Sequence, residues 1–159
     1  MAKWRPYGTE EPSTLTEEAD HVLAEFFQLT NWLHLKACLA FGTCLGFYRD
    51  GVYIPGDNDL DLVVVMHSDA TKESLHTLLQ ARGFERKTSY DPPSGNTHFI
   101  KSGILLDVYP RKEGEYYKTF DRVAYKGHNY PIPHPVEEYL TTCYGDWKTP
   151  AQKSGHYRG

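Results

Sequence analysis

Cysteine is scarce in this sequence, with Cys38, Cys44 and Cys143 making up the whole complement. An odd count without C-x-x-C spacing argues against a disulfide framework or a thiolate zinc site as the organising feature. It suits small, buried or half-buried thiols kept reduced in a cytosol. No apolar run approaches the roughly 20 residues that cross a bilayer, so no membrane span is expected. The start, Met1 to Gly8, lacks the basic end and apolar segment of a signal peptide, and the expected location is cytoplasmic. Basic charge is short as well: 17 Lys and Arg face 21 Asp and Glu, a formal net charge of −4. A general nucleic-acid binder carries a basic stripe, so a small charged ligand in a local pocket fits better. The eight histidines show no ligand spacing. His98 and His128 read as surface or satisfied loop residues.

What is present is ordinary globular material. The chain has 159 residues, 40% hydrophobic and 24% charged, which suits one domain with one core. Aromatics are plentiful at 14%, including 12 Tyr. Such rings can line a ligand groove, but packing of the core and its rim is the simpler role. There is no internal repeat and no long linker. The organisation expected is an irregular arm over 1–12, a single domain over 13–150 and a tail over 151–159.

The pattern predicts α+β architecture, a mixed sheet flanked by helices. Thr14 with Glu17 three residues later reads as a capping box opening a helix. Leu15, Ala19, Val22, Leu23 and Phe26 recur at helical spacing and carry that helix to about His34. A short apolar strand is expected over 36–41, stopping at Gly42-Thr43, then a helical turn over 45–50 and a loop over 51–58. The run 60–66 is the best strand in the chain. Ser68 or Asp69 caps a second helix, with Leu75, Leu78 and Leu79 on its core face, ending at Gly83. Strands are expected over 84–90, 97–101 and 104–109, separated by the Asp91-Pro-Pro-Ser-Gly-Asn loop and a hairpin turn at Ser102-Gly103. A further hairpin joins 120–125 to 130–132 across residues 127–129. Pro135 starts a last helix that Gly145 closes.

The strongest local signal is Asp59-Leu-Asp-Leu-Val-Val-Val. Side chains alternate along a strand, so Asp59 and Asp61 point the same way, roughly 7 Å apart along the chain. Two carboxylates at the mouth of a buried strand repel each other and lose hydration, and cations between them make the arrangement tolerable. Hard oxygen ligands of this kind suit Mg²⁺ or Mn²⁺, with phosphates commonly completing the shell. A solvated acidic turn is the alternative. A third acid, Asp107, sits alone in the apolar strand Ile104-Leu-Leu-Asp-Val-Tyr, where an unpaired carboxylate is costly; a buried Arg or Lys partner is the alternative there. Two acids on one strand and one on its neighbour meet the usual requirement for a two-metal site. Asp107 then lies next to the attacking hydroxyl, as base or as metal ligand.

Ahead of these acids stands Phe41-Gly-Thr-Cys-Leu-Gly-Phe-Tyr-Arg. A strand running into a helical turn at Gly42-Thr43 offers backbone N–H groups and a hydroxyl to an anion. Gly42 permits close approach of a phosphate, and Gly46 keeps the turn slim. Arg49 can bring a planar fork to the same anion, or form a plain salt bridge. Lys101, Arg111 and Lys148 are weaker candidates for phosphate contact.

Taken together, Gly42-Thr43, Asp59-Leu-Asp-Leu and Asp107 resemble the DNA polymerase β-type nucleotidyltransferase superfamily. The longer stretch Ala40 to Asp61 resembles more closely the LicD/fukutin family, whose pattern runs Gly-Thr-Leu-Leu-Gly, then Arg, then Ile-Pro-Trp-Asp-Asp-Asp-Ile-Asp. Here Gly56 stands for the Trp and Asn58 for the middle acid. The tail Glu138-Tyr-Leu-Thr-Thr-Cys-Tyr-Gly-Asp-Trp is similar to that family's Leu-x-x-x-Tyr-Gly-x-x-Trp segment. The resemblance implies a nucleotidyltransferase fold and a Mg²⁺-dependent transferase, with Asp59, Asp61 and Asp107 as metal ligands. It also implies a phosphate-linked group, such as phosphocholine or ribitol phosphate, moved from a cytidine-diphosphate donor to a sugar or glycan hydroxyl. Tyr144 and Trp147 then flank the nucleotide or acceptor, or else only pack the helix end. Two other readings stand beside it. One is a nucleotidyltransferase passing a nucleoside monophosphate from a triphosphate to a small molecule. The other is a non-catalytic binding module on the same fold.

Overall fold

The computed structural model describes residues 15–87 and 95–150. The arm 1–12, the cap Thr14, most of the 91–96 loop and the tail 151–159 lie outside the described residues.

The first helix, α1, spans Glu17–Trp32 and buries Ala19, Val22, Leu23, Phe26 and Phe27. Its start differs from the expected capping box. Thr16 is the residue before the first turn, and its carbonyl accepts from the Ala19 and Asp20 amides, so Glu17 opens the helix rather than reaching back to cap it. Strand β1 is Ala37–Leu39. Ala40 is extended at φ −136°, and the chain then turns sharply into α2, Phe41–Leu45. Phe41 makes this turn at φ 43°, a rare conformation for a bulky residue. The helix therefore begins earlier than the pattern suggests, and Gly42 and Thr43 sit in its first turn. It continues as one π-helical turn, Gly46–Asp50, closed by Gly51 at φ 76°.

The buried run becomes β2, Asp59–Val65. Helix α3, Asp69–Ala81, is capped by Ser68, whose hydroxyl accepts from the Thr71 amide; Leu75 and Leu79 are buried and Leu78 packs beside them. Strand β3 is Glu85–Arg86; residues 88–90 of the expected strand lie outside the described residues. β4, Thr97–Lys101, and β5, Ile104–Arg111, are joined by Ser102 and Gly103, at φ 53° and 77°. β6, Phe120–Tyr125, and β7, His128–Pro133, are joined the same way by Lys126 and Gly127, at φ 46° and 83°. That two-residue turn needs positive φ at both positions, and it frees His128 and Asn129, expected in the turn, to pair as strand. Helix α4 is Val136–Tyr144, ended by Gly145.

The main sheet is mixed, in the order β1-β2-β5-β4-β3, with β6-β7 forming a separate ribbon. β2 and β5 are the parallel pair; β1-β2, β4-β5 and β3-β4 are antiparallel. Leu60, Leu62, Val64, Leu106, Val108 and Phe99 share the core with α1 and α3 residues. The opposite face carries Cys38, Ala40 and Val63, packed against Phe41, Tyr109, Tyr117 and Phe120. The three cysteines are free and buried, and burial pushes the Cys38 and Cys44 thiols well up, away from reactivity. No helix among the described residues is long and apolar enough to cross a membrane. The aromatic wealth goes largely into packing: Phe47 stacks on Tyr125 with ring centroids 4.2 Å apart and contacts Tyr53 at 5.1 Å.

Candidate active site

The parallel register of β2 and β5 places Asp61 directly opposite Asp107 and Asp59 opposite Leu105. Because side chains alternate, all three aspartates share the face away from the main core. Each offers a carboxylate oxygen, and these oxygens lie within 4.8 Å of one another. All three residues are buried, at 4%, 0% and 6% exposure for Asp59, Asp61 and Asp107. Like charges this close in a water-poor setting repel strongly. A donor set made only of buried carboxylate oxygens fits a hard divalent cation such as Mg²⁺ or Mn²⁺, and does not fit a soft one.

Donors on neighbouring elements orient these acids. The Asp61 amide donates to the Thr43 hydroxyl at 2.9 Å, and the Asp61 carbonyl accepts from the Ala40 amide. This pair staples β2 to the start of α2. The Tyr109 hydroxyl donates to Asp61 Oδ1 at 3.3 Å, and His98 Nδ1 lies 2.6 Å from Asp107 Oδ1. Helix α4 reaches the same corner through Tyr139, whose buried hydroxyl accepts from the Phe41 amide at 2.9 Å. The Phe41 ring in turn packs on Tyr109, centroids 4.8 Å apart. Tyr139→Phe is expected to cost about 1–2 kcal/mol, since it strips the acceptor from a part-buried amide at a strained turn. An unchanged urea midpoint in the variant would show that something else satisfies that amide.

The structure brings together Asp59, Asp61, Asp107 and Thr43, with Gly42 beside Thr43. Gly46 also does what its place suggested. A Cβ there would meet the Val52 carbonyl oxygen at 2.6 Å and the Ile54 nitrogen at 3.0 Å, so only glycine lets the π turn lie against the 51–58 loop.

The other predicted residues are spent elsewhere. Arg49 gives its Nε and one terminal nitrogen to Asp50, and its other nitrogen to the Trp147 carbonyl at 3.1 Å. Its side chain is 8% exposed, so the planar fork expected for a phosphate is a brace between the π turn and the chain after α4. Lys101 also lies away from the acids. It pairs across strands with Ile104, which puts it on the face opposite the acids, where it bonds Glu25 and the Arg82 carbonyl. Tyr144 is buried in α4. Trp147 donates its ring N–H to Thr141 at 3.1 Å and packs on Tyr48. Both belong to the packed helix end.

His98 and Tyr109 are the site residues that sequence reasoning missed. A signal existed. A two-residue turn at Ser102-Gly103 fixes the hairpin register, and counting back from it sets His98 opposite Asp107. Tyr109 follows from alternation, two residues beyond Asp107.

A comparison with curated proteins finds no match. A family model does match: residues 34–133 fit LicD/FKTN/FKRP, nucleotidyltransferase domain. That segment holds the three aspartates, Thr43, His98 and Tyr109, and covers well over half of the chain. The chain therefore belongs to the LicD/FKTN/FKRP nucleotidyltransferase-domain family.

Proposed function

We propose that this protein is a divalent-metal-dependent transferase of the nucleotidyltransferase fold, related to the DNA polymerase β type. On this reading it moves a phosphate-linked group from a cytidine-diphosphate donor to a hydroxyl on a sugar or glycan. The observation that carries the proposal is the meeting of Asp59, Asp61 and Asp107, whose carboxylate oxygens converge within 4.8 Å on two neighbouring strands. Membership of the family supports the transferase class.

Asp59, Asp61 and Asp107 are the residues that would hold the metal. When bound, Mg²⁺ or Mn²⁺ supplies charge neutralisation for the phosphates and for the attacking oxygen. The chain's own groups do the positioning. Thr43 and the Ala40 amide fix the backbone of Asp61. The acceptor hydroxyl attacks the phosphorus that carries the transferred group. Its O–P bond forms as the bond to the nucleoside monophosphate's oxygen breaks, so CMP leaves. Asp107 accepts the hydroxyl proton.

Incubation with Mg²⁺, CDP-choline or CDP-ribitol, and a hydroxyl acceptor is expected to release CMP, with no pyrophosphate from CTP or ATP. The family's description as a nucleotidyltransferase domain favours one rival, transfer of a nucleoside monophosphate from a triphosphate. Pyrophosphate release from CTP or ATP, with no CMP from the diphosphate donors, would establish that rival instead. Neither product from folded, metal-loaded protein would favour a binding module.

A further inference from the structure

We infer that His98 is a positioning residue for Asp107, holding its carboxylate in the orientation that completes the metal-binding cluster. The inference rests on the metal-dependent reading above and goes beyond it by assigning a role outside the three acids. An ionised carboxylate, the form that binds a metal, offers only acceptors, so across the 2.6 Å contact His98 Nδ1 is the donor to Asp107 Oδ1 in that form. The contact is sheltered, with the two side chains 27% and 9% exposed.

The geometry is built rather than incidental. His98 and Asp107 are a cross-strand pair in the β4-β5 hairpin, whose two-residue turn locks the register. A slip of one residue would send His98 to the other face of the sheet. Asp61, opposite Asp107 on β2, receives the matching service from the Tyr109 hydroxyl. Each member of the facing acid pair thus has one oxygen held by a donor, and so a fixed direction for the other. Carboxylate ligands of metal sites are characteristically held this way, and removing the outer partner typically weakens metal binding about 10- to 100-fold.

The test uses the full chain and Mn²⁺ as the probe, by calorimetric titration of wild type, His98→Ala, His98→Asn and Asp61→Asn. Asparagine places an N–H where Nδ1 stood, two bonds beyond Cβ. His98→Ala is expected to bind Mn²⁺ about 10- to 100-fold more weakly, His98→Asn to recover most of that loss, and both to melt within a few degrees of wild type. Wild-type affinity in His98→Ala, with Mn²⁺ binding lost in Asp61→Asn, would overturn the inference while leaving the metal site standing. Equal weakening in the Ala and Asn variants would overturn it too. Absence of Mn²⁺ binding by wild type would instead bring down the metal-dependent reading, and the positioning role with it.

Discussion

Asp61→Asn is expected to lower turnover by on the order of 10³-fold or more, equivalent to about 4 kcal/mol in the barrier, without unfolding the protein. The side chain is fully buried and its carboxylate lies within 4.8 Å of those of Asp59 and Asp107, so removing its charge removes one of the three acids proposed to hold the metal. The fold tolerates the change for a local reason. Both backbone groups of residue 61 keep their partners, Thr43 and Ala40, and an amide oxygen can still accept from Tyr109. Relief of repulsion among three clustered carboxylates makes the metal-free variant as stable as wild type or more so. Asp59→Asn should behave alike. The paired measurements are turnover with a cytidine-diphosphate donor and melting temperature with and without Mn²⁺. A variant that keeps both activity and Mn²⁺-dependent stabilisation would remove the acids from the mechanism.

The largest expected loss of stability lies away from the site. Asp20 on α1 accepts hydrogen bonds from the Tyr53 and Tyr125 hydroxyls, each at 2.8 Å, and from Lys126 at 2.7 Å. It thereby ties α1 to the 51–58 loop and to the β6-β7 turn. Asp20→Ala leaves the hydroxyls of two buried tyrosines without their acceptor and is expected to cost about 2–4 kcal/mol. Asp20→Asn keeps one acceptor and should cost less. Urea denaturation at neutral pH reads both, as a lower midpoint with an unchanged slope.

The same residue sets an acid limit. Burial pushes the Asp20 carboxyl up, but the bonds from Lys126, Tyr125 and Tyr53 outweigh it and hold the group below its ordinary 3.8. A carboxyl lowered on folding contributes stability above its unfolded value, and that contribution is lost as pH falls through the lowered one. At the alkaline end the Tyr125 hydroxyl is pushed up by burial and by Asp20, and Lys126 is raised by its bond to Asp20. The network thus stays intact across neutral pH. Wild type should lose more stability than Asp20→Ala on acidification below about pH 4, and parallel stability–pH curves would show that the network does not contribute.

Much of this molecule was legible along the chain, because the signals involved are local. Hydrophobic spacing placed α1 and α3, and Ser68 marked the start of α3. Val63, Val64 and Val65 marked β2 as a strand buried on both sides, and alternation alone put Asp59 and Asp61 on one face. The isolation of Asp107 in an apolar strand marked it as a partner for them. What one strand does with its own side chains is a matter of period two, and that period is written in the sequence.

What the tertiary structure alone decided are the pairings between distant segments. Parallel alignment of β2 with β5 sets Asp61 opposite Asp107, and parallel strands have no turn to announce their register. Arg49 meets a carbonyl 98 positions away, so a side chain that reads as a free phosphate fork is a closed brace. Lys101 falls on the helix-covered face because the hairpin register sends odd and even residues to opposite sides. Phe41 bends at positive φ where the Tyr139 hydroxyl on α4 accepts from its amide, and α2 starts two residues before Thr43. Local pattern specifies which face each acid takes; contacts between remote segments specify which groups share that face.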